Sequence, residues 1–74
     1  MKSISIIIPA YNEEKNLADA VKTINAAVKS VFKDYELLIL DDGSSDGTGV
    51  IADNLAKKNA KIRVIHFSRN RGFG

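Results

Sequence analysis

Two rhythms of apolar residues alternate along this chain. Ser3 to Ile8 is rich in isoleucine and is closed by Pro9, the pattern of a buried strand. From about Glu13 to Val31 the apolar positions Leu17, Val21, Ile24, Val28 and Val31 recur at steps of four, three, four and three, which places them on one helix face. Asn12 is positioned to cap that helix, and Glu13 and Glu14 fall in its first turn, where acids meet the positive helix end. After the connector Phe32-Lys33-Asp34, Tyr35 to Leu40 reads as a second strand. Its four consecutive aliphatics, Leu37 to Leu40, ask for burial on both faces, as in the middle of a parallel sheet. Ser45 or Asp46 caps a second helix that buries Ile51, Ala52, Leu55 and Ala56 and ends at Asn59-Ala60-Lys61. Gly47 and Gly49 weaken its first turn by about 1 kcal/mol each relative to alanine. Ile62 to Phe67 is a third strand, and the interspersed Arg63 and His66 suit an edge.

Strand, helix, strand, helix, strand is the order that makes parallel strands, because each connection holds a helix. Right-handed crossovers running in one direction give an α/β half-Rossmann βαβαβ unit, sheet order 3-2-1, with both helices on one face. The strands are apolar on both faces, yet this chain has helices for one. The expectation is that the other face is covered by later helices in a longer protein, or that the chain self-associates as a homo-oligomer.

Size and charge narrow the function. Seventy-four residues are one small domain, burying roughly 60% of its unfolded surface. With 45% apolar and 27% charged residues the chain is neither disordered nor fibrous. It has no cysteine, which excludes disulfide staples and cysteine-ligated zinc and fits a cytoplasmic setting. The formal charge of +2 is small and dispersed apart from Arg69 and Arg71, so no nucleic-acid footprint is present. Ile4 to Ile8 is too short for a signal-peptide core or a membrane span. Arg71-Gly72-Phe73-Gly74 reads as a loop leading onward, and residues 1–74 are expected to be the first part of a longer domain.

The candidate chemistry lies at Leu40-Asp41-Asp42-Gly43-Ser44-Ser45-Asp46-Gly47-Thr48, where the second strand delivers two carboxylates to a turn. Open α/β sheets bind ligands at this carboxyl edge. One reading makes Asp41-Asp42-Gly43 a plain turn, with Ser44, Ser45 and Asp46 capping the next helix. The other adds Tyr11 and Glu13, which leave the neighbouring strand at the same edge: a ring for stacking on a base and acids for hydrogen bonding together fit a nucleoside. The first turn, Pro9-Ala10-Tyr11-Asn12-Glu13-Glu14, has no glycine and two carboxylates, so it does not cradle a diphosphate as dinucleotide-binding folds do. His66 reads as structural, and Arg69 and Arg71 as loop cations able to meet phosphate. No Ser-His-Asp set, metal-ligand cluster or P-loop is present.

Ser5-Ile-Ile-Ile-Pro-Ala-Tyr-Asn-Glu-Glu14, Leu40-Asp-Asp-Gly-Ser-Ser-Asp-Gly-Thr48 and Phe67-Ser-Arg-Asn-Arg-Gly72 together resemble the amino-terminal part of family 2 glycosyltransferases, nearest to the polyprenyl-phosphate sugar transferases such as dolichyl-phosphate mannose synthase. The resemblance covers about Ser3 to Gly74. It implies a GT-A fold and an inverting transfer from a nucleotide-diphosphate sugar. By that analogy Pro9, Ala10, Tyr11 and Glu13 line the nucleoside pocket, Asp42 contacts base or ribose, Asp41 supports the turn, and Asn70 and Gly72 approach the donor. The family's Asp-x-Asp and its catalytic base lie after the matched stretch, so no catalytic residue is expected in this chain. A divalent metal, Mg or Mn, is implied for the whole enzyme and not for this chain alone. A membrane lipid acceptor on the cytoplasmic face, in cell wall or glycolipid biosynthesis, follows from the same likeness. The rival expectation is a small non-enzymatic interaction module. A receiver-like domain fits poorly, because the first strand ends in Pro-Ala-Tyr-Asn and the third in Ser-Arg-Asn.

Overall fold

The computed structural model describes residues 3–68. They form β1 (Ser3–Ala10), α1 (Leu17–Lys29), β2 (Asp34–Asp42), α2 (Thr48–Lys58) and β3 (Ile62–Phe67). The strands are all parallel in the order β1-β2-β3, the predicted 3-2-1 sheet with β2 in the middle. Register runs from Ser3 opposite Asp34 to Ala10 opposite Asp41, and from Leu37 opposite Ile62 to Asp42 opposite Phe67.

Alternation along β2 shows which face is covered. Tyr35, Leu37, Ile39 and Asp41 are buried, and Leu37 and Ile39 are wholly inaccessible. Tyr35, Leu37 and Ile39 join Ile8, Ala10, Leu17, Val21, Ala52 and Ile62 in one core between the sheet and both helices. Each fully buried aliphatic there contributes about 1.5–3 kcal/mol of transfer free energy. Tyr35 also donates its hydroxyl hydrogen to Asn25 Oδ1 at 2.8 Å, so its polar end is satisfied.

The opposite face carries Ile7, Leu38, Leu40, Ile65 and Phe67, and no described element covers it. Ile7 keeps 54% of its surface exposed and Ile65 keeps 43%. Toward the amino ends of the strands this face turns polar. Ser5 donates to Glu36, and Arg63 pairs with Glu36 at 3.3 Å. That exposed pair adds little stability.

Three expectations about α1 are corrected: its start, its cap and its last turn. Its regular span starts at Leu17 rather than Glu13, and Asn12 does not cap it: Asn12 sits at φ 52 in the left-handed region, with its side chain turned to another loop. Residues 14–16 are a turn, although Leu17 N–H already bonds Glu13 C=O at 2.8 Å. At the far end the helix closes at Lys29, where Ser30 Oγ donates to Ala27 C=O. The chain then bends, so Val31 points out at 73% exposure while Phe32 packs on the core in its place. In α2 the residue at the cap is Gly47, and Asp46, one position earlier, accepts the Thr48 N–H at 3.0 Å.

Candidate functional site

β1 and β2 end together, Ala10 opposite Asp41, so Tyr11 and Asp42 leave adjacent strands at adjacent positions. Asp42 is exposed and continues the uncovered-face row of Leu38 and Leu40, and Tyr11 keeps 45% of its surface exposed. Ala10 is 2% exposed, its methyl group turned into the core, so only its backbone can meet a ligand. Pro9 is exposed in the strand row opposite Leu40.

The two loops that follow are fastened to each other. Asn12 N–H donates to Ser44 Oγ at 3.0 Å, Glu13 N–H to Thr48 Oγ1 at 2.7 Å, and Glu14 N–H to Asp46 Oδ2 at 3.3 Å. In return Ser45 N–H donates to Asn12 Oδ1 at 2.8 Å and Gly47 N–H to Glu14 Oε1 at 2.6 Å. Amides of the turns that lead into α1 and α2 are thus satisfied by side chains of the other loop. Thr48, wholly buried, also donates its hydroxyl to Asp46 Oδ1. That bond is the main cause holding the Asp46 carboxyl below its ordinary pKa, a stabilisation of the charged form at a helix start.

Glu14 and Asp46 thus each accept an amide of the opposite loop, Gly47 N–H and Glu14 N–H. A hollow of about 340 Å³ opens beside α1, walled by Asn12, Glu13, Glu14, Lys15, Asn16 and Asp46. A slightly larger one, about 380 Å³, lies at the strands' amino ends among Ser3, Ile4, Ser5, Asp34, Tyr35 and Glu36. The amino-end hollow is far from the loops of the carboxyl edge, where α/β sheets present their ligand sites, and size alone does not make it the site.

Behind the turn stands a second polar group. Asp41, buried on the helix side, accepts Ser44 N–H on Oδ1 at 3.1 Å, and its Oδ2 lies 2.8 Å from His66 Nδ1. His66 Nε2 lies 2.8 Å from Asp53 Oδ1 on α2. Burial of Asp41 works to raise its pKa, but the bonds from Ser44 and His66 outweigh burial and the net shift is downward. The bond to Asp41, then that to Asp53, raises His66 above its ordinary value. Gly43, at φ 69, closes the turn in a conformation suited to glycine.

The structure thus brings Pro9, Ala10, Tyr11, Glu13, Asp41 and Asp42 to one edge. Asn70 and Gly72 lie outside the described residues. The sequence reading missed the reciprocal roles of Asn12, Glu14, Asp46 and Thr48, and the bridge from His66 to Asp53. A usable signal existed for His66: it shares the parity of Ile62 and Val64 and so falls on the covered face, where a polar ring needs partners.

Among the described residues no three His, Asp or Glu side chains converge to hold a metal ion. Asp41 and Asp53 are engaged with His66, and Glu14 and Asp46 with amides. None of the described helices is long and apolar enough to cross a membrane. Residues 5–74 match the family model described as Glycosyl transferase family 2, which is nearly the whole chain. With the parallel βαβαβ sheet and the Tyr11–Asp42 edge in place, that match settles the family: the chain belongs to glycosyl transferase family 2.

Proposed function

We propose that this chain is the donor-nucleotide half of an inverting glycosyltransferase that moves a sugar from a nucleotide diphosphate to a polyprenyl phosphate. The observation that carries this reading is the register that sets Tyr11 beside Asp42 at the carboxyl edge, on loops fastened to each other. The exposed Tyr11 ring stacks on the base. Asp42 accepts hydrogen bonds from base or ribose, with Pro9 and Glu13 beside them. Asp41 holds the turn from behind.

In this reading the chain supplies recognition and not the chemical step. The divalent metal, Mg or Mn, that neutralises the leaving diphosphate and the base that activates the acceptor belong to residues outside those described, as do Asn70 and Gly72 on the donor side. The whole enzyme then works at the cytoplasmic face of a membrane, in cell wall or glycolipid synthesis.

Titration with uridine and guanosine diphosphates, followed by amide chemical shifts, tests the pocket. Shifts clustered at Tyr11 and Asp42 are expected, and none there at millimolar ligand removes the pocket. In the whole enzyme Asp42→Ala weakens donor binding by roughly ten- to a hundredfold, one charge-assisted hydrogen bond of about 1.5–3 kcal/mol. Unchanged donor affinity takes Asp42 out of the site.

A further inference from the structure

The His66 ring lies with a carboxylate oxygen 2.8 Å from each of its nitrogens: Asp41 Oδ2 at Nδ1 and Asp53 Oδ1 at Nε2. A neutral imidazole carries one N–H and one lone pair. It can satisfy one of these carboxylates, and its lone pair then faces the other. Only the imidazolium donates at both ends. Among the described residues the charged groups bearing on the ring are Asp41 from β2 and Asp53 from α2, both negative.

The packing around the pair is tight. A Cβ at Gly49, on the first turn of α2, would lie 2.9 Å from Asp41 Oδ2 and 3.4 Å from His66 Cε1. The helix passes so close that glycine alone leaves room for the ion pair. Asp53 follows one turn later on the same helix, so the ring is held between sheet edge and helix.

From His66 a continuous line of hydrogen bonds leads to the proposed pocket. Asp41 gives one oxygen to the ring and the other to Ser44 N–H. Ser44 Oγ accepts Asn12 N–H, next to Tyr11, and Asp42 and Gly43 lie between Asp41 and Ser44. We infer that His66 is a positioning residue of the donor-nucleotide pocket: its imidazolium fixes Asp41, and through Asp41 and Ser44 the loops that present Asp42 and Tyr11, so donor affinity falls when the ring loses its proton. This rests on the nucleotide-pocket reading. The ring need not touch the donor. The two carboxylates raise the ring's pKa from its ordinary 6.5, in favour of the imidazolium.

The test measures, in one set of samples from about pH 5 to pH 8, the imidazole proton shifts of His66 and the affinity for a uridine and a guanosine diphosphate hexose. Nucleotide sugars serve because a free terminal phosphate titrates in the same range. In the native chain, affinity is expected to fall on the order of fivefold as His66 deprotonates, with one midpoint for both curves. Asp53→Asn removes the outer partner without touching the loops, and both midpoints move together to lower pH. His66→Gln holds affinity at the weaker level at every pH. Nucleotide binding that stays flat through the His66 titration overturns the positioning role and leaves the pocket standing, as does an affinity midpoint that stays put while the ring's midpoint moves in Asp53→Asn. No binding near Tyr11 and Asp42 at any pH removes the pocket and this role with it.

Discussion

Thr48→Val breaks one buried link between the two loops, and with it the hydroxyl's own bond to Asp46. Thr48 is wholly buried, and its Oγ1 is the acceptor for Glu13 N–H at 2.7 Å. Valine keeps the shape and the branching at Cβ, so no cavity forms, but a methyl group stands where the acceptor was. An orphaned, partly buried amide costs about 1–3 kcal/mol. If the hydroxyl contributed nothing, the added methyl would instead gain about 0.8 kcal/mol, so the two accounts differ in sign. For 74 residues at roughly 0.05–0.15 kcal/mol each, total stability is roughly 4–11 kcal/mol, and the loss is a large share of it. The melting midpoint then drops by about 4–8 °C per kcal/mol, readable by circular dichroism. Thr48→Ser keeps the acceptor, loses about 0.8 kcal/mol for one methyl group, and leaves the Glu13 amide as slow to exchange as before. A valine variant as stable as the native chain, or a Glu13 amide whose protection it does not change, would refute the reasoning.

Other outcomes follow from the same geometry. Gly49→Ala gains about 1 kcal/mol of helix propensity but drives a methyl group into Asp41 and His66, a clash costing about 1–3 kcal/mol, so urea midpoints fall. Gly47→Ala meets only the end of the flexible Glu14 side chain at 3.2 Å, and stays within about 1 kcal/mol of the native chain. Stability also depends on pH through His66 and Asp41, whose ordinary pKa values are 6.5 and 3.8. His66 is raised on folding, so its contribution is complete below pH 6.5 and is lost as pH rises through the folded value. Asp41 is lowered, so its contribution is complete above pH 3.8 and is lost as pH falls through the folded value. Denaturation midpoints therefore reach a plateau between these limits, and His66→Gln flattens the alkaline decline; a decline unchanged in that variant assigns it to another group. The uncovered face of Ile7, Leu38, Leu40, Ile65 and Phe67 is expected to make the chain self-associate in isolation, and Ile7→Lys with Ile65→Lys to reverse it. Sedimentation at several concentrations checks this, and a clean native monomer at high concentration contradicts it.

Much of the fold was legible because its signals are local. Period-two and helical apolar patterns placed all five elements, and right-handed crossovers ordered the strands. Val31 misled because it keeps the helical period for one step after Ser30 has ended the helix, and nothing in the spacing separates it from Phe32. Asn12 misled for a different reason. Asparagine before two acids is a good cap locally, but it also tolerates the left-handed region, and a partner 33 residues away claimed its side chain. At the edge, Tyr11 and Asp42 were readable from strand ends alone, whereas Glu14, Asp46 and Thr48 acquire their roles only when two loops meet. Periodicity carries no information about such meetings.

The exchange of acceptors between the loops also constrains the order of events during folding. The amides of the turn before α1, Asn12 to Glu14, find their acceptors 32 to 35 positions further along the chain. The turn that leads into α1 therefore stays unfastened until β2 has paired and the Ser44–Thr48 segment has arrived. In the native state the converse holds. Fluctuations that free one of these loops strip the other of its acceptors, so both open and close as one cooperative unit.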